Sequence, residues 1–265
     1  MKNFLFHLRR NINILRHKPS FICTEGMLRT AAKVAAQESF PAVAKLDYGK
    51  EEIFMQVRSG LQLHRLTACK KEPRTVLWLE AQKGRVFYDI GANVGAYSLI
   101  AARRGFDVYA FEPSFSTFAA LNENIFLNHC NEKITAFCAA LGSETRMVDL
   151  GYSSILAGDS GHTFALDKKK LMHKIQVYRL DDFIIQWKVP LPHCIKIDVD
   201  GYEYEVLEGM EKTLSRPELS SLLIEVFDEK KKQVDALLAK SEWYEIQEEP
   251  WAFEKPLTNR VYARR

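Results

Sequence analysis

The chain has 265 residues, 47% hydrophobic and 27% charged, the composition of a globular protein with a sizeable core rather than a collagen-like or disordered one. Its 37 basic and 34 acidic residues leave a formal charge of +3, too near balance for a surface built to bind nucleic acid. Five cysteines (Cys23, Cys69, Cys130, Cys138 and Cys194), odd in number and without a CxxC pair, signal neither a disulfide framework nor a zinc ribbon, so a reducing, cytoplasmic compartment is expected.

The basic stretch Met1 to Lys18 sets Phe4, Leu5, Leu8, Ile12 and Leu15 among Arg9, Arg10, Arg16 and Lys18. That pattern suits an amphipathic helix docked on the domain, with peripheral contact to an anionic membrane as the alternative. Its apolar run is too broken for a signal peptide, and no run in the chain reaches the roughly 18 to 20 apolar residues of a spanning helix. Residues 1–84, with helix-like text at Met27 to Ser39 and Thr75 to Gln82, read as a helical N-terminal extension.

From Arg85 the pattern changes, and residues 85–265 read as one α/β domain in which short β-branched or aromatic runs alternate with helical stretches. The first predicted strand is Val86 to Ile90, ended by Gly91, and a helix follows over Gly95 to Arg104. A second strand, Asp107 to Phe111, stops at Glu112-Pro113, where proline suits the first turn of a helix over Ser114 to Asn128. Ile134 to Ala139 is the third strand. Gly142 to Lys174 then breaks the alternation as a long excursion with room for a hairpin. After it come a short strand Ile175 to Arg179, a helical turn Leu180 to Trp187, a core strand Cys194 to Val199 and a helix Glu203 to Leu214. The remaining elements are Ser221 to Val226, a helix Glu229 to Ser241, and strands Tyr244 to Gln247 and Arg260 to Ala263. The count suits a seven-stranded, mostly parallel sheet with helices on both faces.

In such a sheet a ligand sits beyond the carboxyl ends of the strands, at the point where strand order reverses. The first strand-turn-helix unit carries Gly91 and Gly95 in a G-x-x-x-G spacing: Gly91 permits a tight turn and Gly95 a close helix start. A dinucleotide fingerprint needs a second glycine where Asn93 stands. That substitution disfavours a nucleotide-linked (NAD-type) oxidoreductase, the alternative enzyme reading. A cofactor without phosphate tolerates the side chain. Asp89 suits an ammonium group, and Glu112, at the end of the second strand, suits the two hydroxyls of a ribose.

Asp89-Ile90-Gly91-Ala92-Asn93-Val94-Gly95, Glu112-Pro113 and Leu121-Asn122-Glu123-Asn124 together resemble the FkbM family of methyltransferases. Arg179-Leu180-Asp181-Asp182, Lys196-Ile197-Asp198-Val199-Asp200-Gly201-Tyr202-Glu203, Leu207-Glu208-Gly209 and Ile224-Glu225 resemble that family's later blocks in the same order, and Glu72-Pro73 and Trp78 also fit. The family usually has glutamate where Asp200 stands. The resemblance implies a Rossmann-like class I methyltransferase fold and transfer of a methyl group from S-adenosylmethionine, typically to a hydroxyl oxygen of a sugar, glycan or other small natural product. The candidate cofactor-binding set is Asp89, Gly91, Ala92, Asn93, Gly95, Glu112, Pro113, Ala139 and Ala140.

Such a transfer needs the two substrates aligned, and a base when the nucleophile is a neutral hydroxyl. Lys196, Asp198 and Asp200 alternate along an extended segment and are expected on one face near the cofactor. Asp198 is the candidate base or substrate-orienting acceptor, Lys196 its partner, and Asp200 and Glu203 are second choices. Asp198, Asp200 and Glu225 carry the hard oxygens that magnesium takes, but no ligand cluster in the sequence compels a metal. Gly158-Asp159-Ser160-Gly161 reads as a turn, and Lys168 to Lys170 and Lys230 to Lys232 as solvated faces. A cofactor-binding module without catalysis is the third reading, opposed by the intact Asp89, Glu112, Lys196 and Asp198. The acceptor and the oligomeric state carry no readable code in the sequence.

Overall fold

The computed structural model describes residues 6, 29–30, 32–34, 42–152, 154, 156–160, 171–250 and 257–264. The basic N-terminal stretch, most of the Met27 to Ser39 segment, the Lys168 to Lys170 run and Gly161 lie outside the described residues. Two compact units divide at Val43 and Ala44, so residues 44–84 belong to the same unit as the sheet.

Ahead of the sheet come β1 (Val43–Lys45) and β2 (Phe54–Gln56), which pair, and three short helices: α1 (Gly60–Arg65), α2 (Ala68–Lys71) and α3 (Pro73–Ala81). This segment is therefore not wholly helical. The alternating part contributes β3 (Val86–Ile90), α4 (Ala96–Arg103), β4 (Asp107–Phe111), α5 (Phe115–Leu127) and β5 (Ile134–Phe137). Next come β6 (Ala140–Leu141), β7 (Arg146–Tyr152) and β8 (Leu171–Tyr178), a separate three-stranded sheet in which β7 and β8 pair antiparallel; β6 precedes the Gly142 to Lys174 excursion, and β8 joins its end to the strand predicted from Ile175. The chain continues with α6 (Leu180–Trp187), β9 (Cys194–Ile197), α7 (Glu203–Glu208), α8 (Glu211–Leu214), β10 (Ser221–Phe227), α9 (Lys231–Ala239), β11 (Trp243–Pro250) and β12 (Leu257–Arg264).

The main sheet has seven strands in the order β11-β12-β10-β9-β3-β4-β5. Strands β5, β4, β3, β9 and β10 run parallel, while β12 pairs antiparallel with both β10 and β11. Strand order reverses between β3 and β9, and that gap is where a ligand site opens. This is the Rossmann-like class I methyltransferase fold.

Because side chains alternate across a strand, each strand feeds two cores. Phe87, Val108, Cys194 and Leu223 pack with Trp78, Leu99, Ile100 and Leu121 of α3, α4 and α5. Val86, Tyr88, Ile195 and Leu222 pack on the other face with Phe183, Val206 and Val234 of α6, α7 and α9. Each large side chain so buried contributes roughly 1.5–3 kcal/mol, which is why the central strands read as continuous apolar runs.

Two boundaries moved for identifiable reasons. The helix predicted over Glu203 to Leu214 is split at Gly209, where a Cβ would stand 2.0 Å from the Gly142 carbonyl oxygen. The restart of α8 is capped from a distance: Asp181 accepts hydrogen bonds from the amides of Lys212 (2.8 Å) and Thr213 (2.9 Å). Asp181 of the Arg179 to Asp182 block is thus a buried helix cap. The strand predicted to reach Val199 ends at Ile197, because the chain must turn sharply at Asp200 and Gly201, both at positive φ.

Candidate active site

On the α3–α4 face, the apolar strand pattern gives way to polar residues at the carboxyl ends. Phe87 is followed two positions on by Asp89, Cys194 by Lys196 and Leu223 by Glu225. Asp89 is the register partner of Lys196, and Glu225 that of Asn259 on β12. One lysine is therefore buried among carboxylates. Lys196 Nζ lies 2.5 Å from Asp198 Oδ2 and 5.1 Å from the centre of the Tyr97 ring. Asp89, Asp198 and Glu72 together hold the ammonium proton well above the ordinary lysine range against the opposing effect of burial.

The loop after β3 is drawn onto the sheet end by its backbone. The amides of Gly91 and Ala92 both donate to the Phe111 carbonyl at 3.0 Å. Gly91 has φ +82°, and a Cβ there would stand 1.8 Å from the Asp198 carbonyl oxygen. Its glycine is thus required by the neighbouring turn. Gly95, at φ +90°, precedes α4, and a Cβ would meet Leu121 Cδ1 at 2.5 Å, which is the close helix packing expected of it. Asn93 takes a left-handed φ of 50° that asparagine tolerates; its side chain accepts from the Val94 amide and donates to the Asp159 carbonyl at 3.0 Å.

Two adjoining clefts open at this end of the sheet. The larger is floored by Gly91, Glu112, Pro113, Ala139 and Ala140 and bounded by Asp198 and Asp200. Glu112 anchors it: its two carboxylate oxygens accept the amides of Asn93 and Ser114, each at 2.9 Å. Each oxygen keeps a lone pair for a further donor. Burial pushes this carboxyl up to about 7. The smaller cleft lies on the other side of the loop, against Ala92, Tyr97, Lys196 and Glu72. Arg65, Gly91, Asn93 and Asp198 line both, so Asp198 stands in the wall between them.

Most of the sequence-derived residues come together here, with corrections. Asp89 lines neither cleft; it is buried behind the loop, accepts from Ser98 Oγ at 2.6 Å, and its Oδ1 has no partner. Burial raises its pKa, and Lys196 is its register partner on β9. Gly95 likewise shapes the helix start without lining a cleft. Lys196, Asp198 and Asp200 do not share a face: Lys196 borders only the smaller cleft and Asp200 only the larger. The extended alternation stops at Asp200, whose φ of 54° is left-handed. Short Asp enters that region more readily than Glu, which accounts for the residue found there.

Arg65 escapes the sequence reading, while Glu203, a second choice for the base, and Glu72, of the Glu72-Pro73 pair, take positions that local sequence does not fix. Arg65 donates twice to the Gly158 carbonyl, at 2.9 and 3.1 Å, which ties α1 to the Gly158 to Ser160 turn over the larger cleft. Glu203 Oε1 accepts the amides of Val199 (3.1 Å) and Gly201 (3.0 Å) and so clamps the turn that carries Asp198; burial pushes it up to about 7. Glu72 reaches the site from the turn before α3. Among the described residues no three His, Cys, Asp or Glu side chains converge as metal ligands. No helix among them is long and apolar enough to cross a membrane.

The Methyltransferase FkbM domain profile matches residues 89–248. The hexuronic acid methyltransferase AglP of Haloferax volcanii is 28% identical over 161 residues, 60% of this chain and 64% of that protein, so the chain spans less than two thirds of it. The 31-O-demethyl-FK506 methyltransferase FkbM of Streptomyces tacrolimicus is 26% identical, over 57% of this chain and 68% of that protein. A crystal structure of a methyltransferase FkbM from Methylobacillus flagellatus superposes with a TM-score of 0.48 at 16% identity, over 77% of this chain and 52% of that one. The profile covers more than half of the sequence and includes the cofactor loop, Glu112 and the Lys196 to Glu203 block: the chain belongs to the FkbM methyltransferase domain family, with S-adenosylmethionine as its cofactor.

Proposed function

We propose that the protein transfers the methyl group of S-adenosylmethionine to a hydroxyl oxygen of a sugar or similar small acceptor. The observation that carries this reading is the position of Asp198, in the wall common to the two adjoining clefts. The larger cleft fits an adenosyl group. Glu112 offers carboxylate lone pairs for two ribose hydroxyls, and Ala139, Ala140 and Pro113 supply small or flat apolar walls for a base. Gly91, Asn93 and Asp198 border the remainder. Bound there, S-adenosylmethionine supplies an electrophilic methyl carbon on a sulfonium.

The chain's own part is alignment and exclusion of water. The acceptor's place is the smaller cleft, where Asp198 accepts a hydrogen bond from a hydroxyl beside the reacting one and so points the reacting oxygen across the wall. Burial pushes the Asp198 carboxyl up, but the Lys196 ammonium and the hydrogen bonds from Lys196 and Glu225 outweigh it and keep the group ionised. Asp198 therefore accepts a hydrogen bond throughout the neutral range. AglP, a hexuronic acid methyltransferase, supports a sugar acid as acceptor, and the 31-O-demethyl-FK506 methyltransferase supports oxygen as the atom methylated. Incubation of the chain with methyl-labelled S-adenosylmethionine and a panel of hexuronic acids, neutral sugars and glycan fragments, followed by mass analysis, tests the reading. A labelled ether on a sugar supports it. Label found only on nitrogen or carbon acceptors overturns it.

A further inference from the structure

The hydroxyl proton needs a destination, and Asp198 is a poor one, since a carboxylate stabilised by an ammonium at 2.5 Å has little affinity for a proton. Three other carboxyls stand around Lys196. Asp89 is sealed behind the cofactor loop and lines neither cleft; Glu225 hydrogen-bonds Asp198 from β10 but is buried and also lines neither. Glu72 is the exception: it lines the smaller cleft together with Asp198, Lys196 and Tyr97.

Glu72 is held as a reacting group should be. Its Oε2 accepts from Thr75 Oγ1 and from Asn259 Nδ2, each at 3.2 Å, so an α3 hydroxyl and a β12 amide fix the carboxylate. Lys196 of β9, Asp198 of the following turn, Tyr97 of α4 and Glu225 of β10 are the titratable groups that act on it, and His64, Arg65 and Lys71 of α1 and α2 complete the cleft's charged lining. The surroundings drive the two cleft carboxyls apart. Burial raises Glu72, while Lys196 holds Asp198 down. Paired carboxyls separated in this way divide into a proton-accepting and a charge-holding member.

We infer that Glu72 is the general base of the smaller cleft and Asp198 the residue that orients the acceptor hydroxyl. This rests on the methyl-transfer reading above. The acceptor's O–H bond breaks and its proton passes to a Glu72 oxygen. The same acceptor oxygen forms the new O–CH3 bond, and the electron pair of the broken C–S bond stays on the donor sulfur. Glu72 then returns its proton to water through the open cleft. The assignment puts a catalytic residue outside the matched segment 89–248.

The test compares the full chain with Glu72→Gln, Glu72→Asp and, as a control at an exposed position of α3, Leu77→Ala. Methyl-labelled S-adenosylmethionine is used with glucuronic acid and glucose as probe acceptors. Glu72→Gln keeps an oxygen for Thr75 and Asn259 but takes no proton, and should lower turnover by about 10²–10⁴-fold. It should leave calorimetric S-adenosylmethionine affinity unchanged and abolish the acid limb of the pH–rate profile. Glu72→Asp should recover part of the rate together with that limb, and Leu77→Ala should leave rate and limb as in the parent. Independently of turnover, carboxyl-¹³C NMR should show a glutamate signal titrating above the ordinary range in the unaltered chain and absent from Glu72→Gln. Unchanged turnover and pH profile in Glu72→Gln, or a Glu72 signal titrating in the ordinary range, overturns the assignment and leaves the methyltransferase reading standing. Failure of the unaltered chain to methylate either probe overturns the sugar-hydroxyl reading and the assignment with it.

Discussion

Asp89 and Lys196 are register partners on β3 and β9, a carboxylate beside an ammonium in the middle of a sheet whose preceding pair on the same face, Phe87 and Cys194, is apolar. This pair marks where the face stops serving the core and starts serving the site. Lys196 is 1% exposed and is the cation on which Asp89, Asp198 and Glu72 all act. Removing one member of a buried ion pair leaves an uncompensated charge, at a cost of about 3–5 kcal/mol. Lys196→Met should lower stability in urea by that order, and adding Asp89→Asn should restore part of it. A single variant as stable as the parent would show that the lysine does not balance the cluster.

Gly91 and Gly95 should respond differently to alanine. At Gly91 the new Cβ would stand 1.8 Å from a backbone oxygen at φ +82°, and nothing nearby can move without displacing the Asp198 turn. At Gly95 the obstacle is the tip of the Leu121 side chain at 2.5 Å, which can rotate, although the positive φ still costs about 1–3 kcal/mol. Gly91→Ala should therefore lose more stability and more cofactor affinity than Gly95→Ala in paired denaturation and calorimetry. The reverse order would refute the contact with Asp198 as the reason for glycine.

Glu203 gives the ligand-free chain a pH signature. Burial lifts its carboxyl from 4.5 to about 7, so between those values the folded chain holds a proton that the unfolded chain has released. Stability from this group is fully present below the unfolded value and falls as pH rises through about 7. Glu112, raised to about 7 in the same way, acts in the same direction. The melting temperature should therefore decline from pH 5 to pH 8, and Glu203→Gln should decline less steeply. Equal slopes for variant and parent would contradict the assignment to Glu203.

The parts of the site that follow from local chemistry were legible in the sequence. The Gly91 to Gly95 spacing, the carboxylate ending the second strand and the Lys196 to Gly201 block each lie on one strand or its turn, where period and turn residues speak directly. What escaped depends on packing between distant segments. Glu72 is more than a hundred positions from Lys196 and meets it only because Trp78 locks α3 onto the sheet through a 2.8 Å hydrogen bond to Ser221. Asp89 sits behind the loop because strand alternation puts it on the face of Phe87, beside Lys196. Pro113 and the Ala139-Ala140 pair do line the larger cleft, although nothing in their composition announces it.

Titration calorimetry of the parent chain beside Glu112→Ala asks whether the cleft floored by Glu112 receives S-adenosylmethionine. Truncation removes the carboxylate that would accept the ribose hydroxyls and leaves the Asn93 and Ser114 amides unpaired, a loss of about 1–3 kcal/mol, or roughly ten- to a hundredfold in affinity. Saturable binding of S-adenosylmethionine to the parent, weakened by that factor in Glu112→Ala, is the predicted result. A parent that does not bind S-adenosylmethionine, or a Glu112→Ala variant that binds it as tightly as the parent, would contradict the account.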